Sequence, residues 1–200
     1  LALLVPILHA ASGDDRLLAA KDAAHRGDRV KLARQIESLR GHELEPYAEY
    51  WLLNLRLQEA GHDELREFLS RQSGSYLADK LRGEWLKVLG KRREWDAFET
   101  EYPPLVQSDQ ELTCYALQNR LRLADLGALD EARPLWFLAA ELPDSCAPLM
   151  EQLIADGRLG VDDIWERLRR LLEAKKLGAA KLAAAYLPAG QAPAAKTLEA

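Results

Sequence analysis

The chain has 200 residues, 48 % of them hydrophobic and 30 % charged, with a formal net charge of -5. That length can bury a substantial core, and the scarcity of β-branched residues favours amphipathic helices over sheets. The mild negative balance gives no footing for nucleic acid or an anionic membrane surface as a partner.

In chain order, LALLVPILHAASG over residues 1–13 is an apolar run followed by small residues and then Asp14, Asp15 and Arg16. It reads as the remnant of a secretory signal peptide over 1–11, cut after Ala10 or Ala11, because Pro6 interrupts the run and no polar face is present. Export permits thiol oxidation. No later stretch reaches the roughly 20 apolar residues that span a bilayer. Residues 12–190 then read as one helical-repeat domain.

Asp14 to His25 forms a first helix with Leu17, Leu18, Lys21 and Ala24 on its stripe, stopped at Gly27. Asp28 caps a second, with Val30, Leu32, Ala33, Ile36 and Leu39 inward. Pro46 suits the first turn of a third, PYAEYWLLNLRLQEAG, whose Tyr47, Tyr50, Trp51 and Leu53 make an unusually apolar surface. A short return helix spans Glu64 to Arg71. Residues 76–89 place Leu77, Leu81 and Trp85 on one stripe, and Gly90 breaks the pattern before a short helix around Trp95 and Phe98. Pro103 and Pro104 are the firmest stop in the chain.

The stretch from Asp109 to Gly157 carries both cysteines. Cys114, Leu117, Leu121 and Ala124 line one helix face, with Asn119, Arg120, Arg122 and Asp125 opposite, and Gly127 ends the helix. Leu129, Ala132, Trp136 and Ala139 repeat the pattern, so a second helix folds back antiparallel until Pro143 and Asp144. A third, starting near Cys146, runs parallel to the first. Both cysteines therefore sit near the N-terminal ends of parallel neighbours, where a disulfide fits and two reduced core thiols fit as well. Beyond it, Asp162 and Asp163 open a helix with Val161, Ile164, Trp165, Leu168 and Leu171 inward. Gly178 leads to a last one through Leu182, Ala183, Tyr186 and Leu187, and 191–200 reads as a linker or the start of another repeat.

Glycines at 27, 61, 90, 127, 157 and 178 punctuate the chain at the irregular intervals of degenerate tetratricopeptide-like hairpins. Each hairpin buries its apolar face only against a neighbour, so the expected fold class is all-α, an α-solenoid or superhelix.

Several pieces in this order carry a resemblance: PYAEYWLL at 46–53, YLADKLRGEWLKVLGKRREWDAFETEYP at 76–103, CYALQNRLRL followed by LDEARPLW, and LPDSCAPLM. Over residues 14–190 the chain resembles the N-terminal superhelical region of the soluble lytic murein transglycosylases. The resemblance implies a periplasmic location and a ring-shaped helical superhelix. It also implies a disulfide, which it assigns to Cys114 and Cys146. Enzymes of that family cleave the β-1,4 bond between N-acetylmuramic acid and N-acetylglucosamine of peptidoglycan, leaving a 1,6-anhydro product. They use one glutamic acid of a separate lysozyme-like domain. No residue here matches that glutamate; Glu37-Ser38 is only superficially like the family's Glu-Ser pair, since it lies in a solenoid helix.

The residues themselves supply no catalytic, cofactor or metal site. The pairs Asp14-Asp15 and Asp162-Asp163 sit at helix starts, where ionised carboxylates are favoured, and His9, His25, His42 and His62 have no metal spacing. Trp51 and Trp136 could stack on sugar rings, although tryptophans on core faces more often pack. Two functions of different class follow. One is the scaffold of a lytic transglycosylase whose catalytic domain lies outside these residues, with peptidoglycan strands, and protein partners besides, reached through that parent. The other is a non-enzymatic tetratricopeptide-like adaptor for a peptide or protein.

Overall fold

A computed structural model of the chain describes residues 13–194. The apolar run over 1–11 and most of the segment 191–200 lie outside them. Among the described residues the regular structure is helical throughout, with no strand, and no helix is long and apolar enough to cross a membrane. The chain divides into two compact units, one through Val88 and one from Leu89.

In the first unit, α1 (Gly13–His25), α2 (Arg29–Ser38) and α3 (Glu45–Leu55) pack mutually around Ala20, Ala23, Leu32, Leu39 and Ala48. Gly27 turns the chain with a φ of 67°, and the Asp28 carboxylate accepts from the Lys31 N–H at 2.9 Å to cap α2 as expected. The buried faces shift from the expected stripes. Leu18 and Val30 are exposed while small alanines of α1 are enclosed, because close helix approach needs small side chains at the crossing. α3 ends at Leu55, short of Gly61, with Pro46 in its first turn. The helix α4 (His62–Arg71) follows, tied to α3 by Arg71 on Glu49 at 3.2 Å. The next, α5 (Tyr76–Arg92), sets Trp85 edge-on to His62 with ring centroids 5.4 Å apart.

The unit boundary falls within α5, and Gly90 lies inside that helix instead of breaking it. The stop comes three residues later, where Arg93 takes the left-handed conformation at φ 59° and the Glu94 N–H reaches back to the Leu89 carbonyl. Helix α6 (Trp95–Glu101) precedes the diproline.

The second unit then builds on α7 (Gln110–Arg122), capped by Asp109 through the Leu112 N–H. Ala124 at φ 63° supplies the left-handed turn expected of Gly127, which opens α8 (Gly127–Ala132) instead. Asn119 is buried, where the periodicity placed it outward. The expected return helix through Ala139 is cut short: α8 passes into a 3₁₀ turn over Arg133–Phe137. Pro134 has no N–H to continue the α ladder, so the chain tightens. A second 3₁₀ turn, Asp144–Cys146, leads into α9 (Ala147–Ala155). Helices α10 (Val161–Glu173) and α11 (Leu177–Ala184) pair through Leu168 and Leu171 against Ala179, Ala180, Ala183 and Ala184. Leu182 is 66 % exposed, since the alanine face allows the closer approach.

Candidate functional site: the disulfide-clamped hairpin

Cys114 lies one turn into α7 and Cys146 closes the 3₁₀ turn before α9, so the like ends of the two helices meet. Their Cα atoms are 5.0 Å apart and the sulfurs are bonded, with both residues fully enclosed. Two hydrogen bonds fix the same junction. Ser145 Oγ donates to the Glu111 carbonyl at 3.0 Å, and Gln118 Nε2 donates to the Ser145 carbonyl at 2.5 Å. Around them Leu117, Leu129, Ala132, Leu149 and Leu153 form one apolar cluster.

Trp136, on the 3₁₀ turn that follows α8, is enclosed at 1 % exposure; its Nε1 donates to the Asp163 carbonyl at 2.9 Å and its ring meets Tyr186 edge-on. Arg133 holds the same turn to the start of α10, donating to the Arg158 carbonyl and pairing with Asp163 at 3.3 Å. Asp163 in turn accepts from the Gly160 N–H, a helix-start role as expected.

Arg167 is the residue that the sequence reading passed over. It is 5 % exposed, stacks over the Trp136 ring at 5.0 Å, and donates to the carbonyls of Trp136, Leu138 and Ala140. The guanidinium fork thus satisfies three carbonyls of the strap that replaces the expected helical turn. Burial pushes the Arg167 pKa down, yet an arginine so shifted remains a cation at neutral pH. A cavity of about 100 Å³ opens beside it, lined by Trp136, Leu142, Met150 and Tyr186. In the sequence its one mark is a place on the same helical face as Ile164, Leu168 and Leu171, which does not say what the guanidinium would bond.

Trp51 is half-buried on α3 against the first unit's core, its ring 6.5 Å from that of the 41 % exposed Tyr47. Trp136 has its indole committed to packing and to Asp163, so as placed it presents no free face for a sugar ring. Glu37 pairs with Arg40 at 3.0 Å and Ser38 Oγ donates to the Gln35 carbonyl, an ordinary exposed helix end. His42 Nδ1 accepts from the Leu44 N–H. Among the described residues no group of three His, Cys, Asp or Glu side chains is placed to hold a metal ion. Glu59, Asp125 and Glu131 are held below the usual carboxylate range, each chiefly by a hydrogen bond from an arginine. A general acid needs the opposite shift, from an apolar pocket.

No protein-family model and no curated protein matches the chain. Solved structures do. The 70-kDa soluble lytic transglycosylase of Escherichia coli superposes with a TM-score of 0.69 at 20 % identity, over 94 % of this chain and 31 % of its own. The 70-kDa soluble lytic transglycosylase in complex with bulgecin A gives 0.69 at 19 % identity, over 93 % and 30 %. An inactive variant of the Pseudomonas aeruginosa lytic transglycosylase gives 0.68 at 28 % identity, over 87 % and 28 %. The chain thus spans about three-tenths of the length of these proteins. Its helical hairpins have the fold of a segment of the soluble lytic transglycosylases, the family that its sequence resembles.

Proposed function

We propose that this chain is the helical scaffold of a periplasmic lytic transglycosylase. In that role it positions peptidoglycan strands for a catalytic domain that lies outside these residues. The parent enzyme cleaves the bond between N-acetylmuramic acid and N-acetylglucosamine and forms the 1,6-anhydro product. The observation that carries this reading is a fold likeness over nearly the whole chain to less than a third of the length of soluble lytic transglycosylases. A second support is the enclosed Cys114–Cys146 bond, which suits an oxidising compartment. Trp51 beside exposed Tyr47 is the stacking position this scaffold would offer a glycan.

The test is to read the coding sequence beyond Ala200 and assay the entire product on purified peptidoglycan. Anhydro-muropeptides released by the entire product, and not by residues 13–194, are the expected result. A stop codon close after Ala200 with no release would overturn the scaffold reading and leave a helical-hairpin adaptor.

A further inference from the structure

Away from the clamped strap, the second unit carries a groove of about 450 Å³ between α6, α7 and α9. It is lined by apolar Leu121, Pro148 and the fully enclosed Leu149, and by polar Gln118 and Gln152, whose amide nitrogens already donate to the Ser145 carbonyl at 2.5 Å and to the Asp156 carboxylate at 2.8 Å. Half-buried Trp95 stands at one wall, its edge fixed against Phe98 with centroids 5.9 Å apart. The charged groups that line it are both cations, Arg93 and Arg122, on a chain whose net charge is -5. Arg122 is steadied by Asn119 at 3.1 Å and by a long pair with Glu99 at 3.8 Å. Arg93 is exposed and makes no side-chain hydrogen bond or ion pair among the described residues. Its backbone is left-handed, with φ 59°, just past the end of α5.

Each part answers one part of a ligand. An indole wall and apolar lining accept the hydrophobic face of a pyranose ring. Each of the two primary amides keeps its acceptor oxygen and a second N–H for hydroxyl and acetamido groups beyond its existing bond. Guanidinium forks match carboxylates. We propose that this groove binds an N-acetylated oligosaccharide that carries carboxylates, with Trp95 stacking on a ring and Arg93 and Arg122 meeting the acid groups. The proposal deepens the scaffold reading and rests on it for the presence of such glycans. The carboxylate can come from the lactyl groups of a peptide-free glycan or from the peptides attached to a substituted one.

Nuclear magnetic resonance titration of the full chain decides the matter. Three probes are used: a peptide-free tetrasaccharide of alternating N-acetylglucosamine and N-acetylmuramic acid, the same glycan with its peptides, and neutral chitotetraose. The expected result is movement of the Trp95 indole N–H and of the Gln118 and Gln152 amides with at least one acidic probe. The tighter of the two acidic probes names the source of the carboxylate. Chitotetraose should bind roughly tenfold more weakly, as should the acidic probe to Arg93→Asn, which keeps a residue tolerant of the left-handed turn. Gln152→Ala, on the exposed face of α9, gives a second variant that leaves the core intact. Equal binding of chitotetraose with no effect of Arg93→Asn overturns the proposal, and so does movement confined to residues outside the groove. Release of anhydro-muropeptides by the entire gene product with no groove response sinks this inference alone and leaves the scaffold reading in place.

Discussion

The ring of Tyr115 lies directly against the backbone of Gly90: a Cβ added to Gly90 would stand 2.4 Å from Tyr115 Cγ and 2.7 Å from each Cδ. Gly90 sits inside helix α5, where propensity alone makes alanine better than glycine by about 1 kcal/mol. The contact reverses that sign. Gly90→Ala is expected to lower stability by about 1–3 kcal/mol, because Tyr115 is buried and cannot swing into solvent. Urea denaturation of Gly90→Ala, Tyr115→Ala and the double variant measures the coupling. A stabilised Gly90→Ala would show that the ring does not cover this glycine.

Cys114 and Cys146 are 32 residues apart and tie the starts of α7 and α9. In the chain-entropy model closing a loop of that size stabilises by about 3–4 kcal/mol. Cys114→Ala with Cys146→Ala should lose about that much, and dithiothreitol should bring the unaltered chain to nearly the same denaturation midpoint. Insensitivity of the midpoint to reductant would remove the disulfide from the account of stability.

These two pairs also mark how far the sequence was legible. Apolar periodicity located the helices, and the spacing of antiparallel hairpins placed the cysteines at like ends of α7 and α9. What periodicity cannot see is which residue approaches which. Gly90 looked like a stop because a glycine that ends a helix and a glycine that admits a neighbour's ring are the same letter. The true stops at Arg93 and Ala124 use residues that carry no turn signal. Pro134 did carry one, yet the stripe of Leu129, Ala132 and Trp136 masked the change from α to 3₁₀ geometry. Of the candidate site, the placement of the two cysteines at like helix ends was readable, while their pairing came from the family resemblance. Arg167 was not readable, because an arginine among leucines on an apolar face is recognisable only once the three carbonyls it satisfies are in view.

Arg167 has a test of its own. Replacing it by methionine keeps much of the volume but leaves the carbonyls of Trp136, Leu138 and Ala140 without their donor. The expected loss is about 2–3 kcal/mol, and Arg167→Lys should recover little, since one ammonium cannot reproduce the planar fork. Hydrogen exchange gives the local readout: amides over 137–141 should exchange faster in both variants, while those of α2 stay unchanged. A uniform increase across the chain would instead mark Arg167 as a general packing residue.

Arg120 bridges Asp125 at 2.8 Å and Glu131 at 2.8 Å, joining the end of α7 to α8. Hydrogen bonds from Arg120 hold both carboxyls below their ordinary values of 3.8 and 4.5. A carboxyl whose pKa falls on folding contributes stability that is fully present above its unfolded value and disappears as pH drops through its folded one. The stability gap between the unaltered chain and Arg120→Gln should therefore be constant near neutrality, begin to close as pH falls to those ordinary values, and vanish below the lowered folded ones. All three groups face solvent, so the gap is small and salt should shrink it, because 1 M salt screens charges over about 3 Å. Chemical denaturation from pH 7 to pH 2, at low and high salt, measures both trends. A gap that survives acid and salt alike would mean that the stem of Arg120 supports the hairpin by packing, and that the ion pairs contribute nothing measurable.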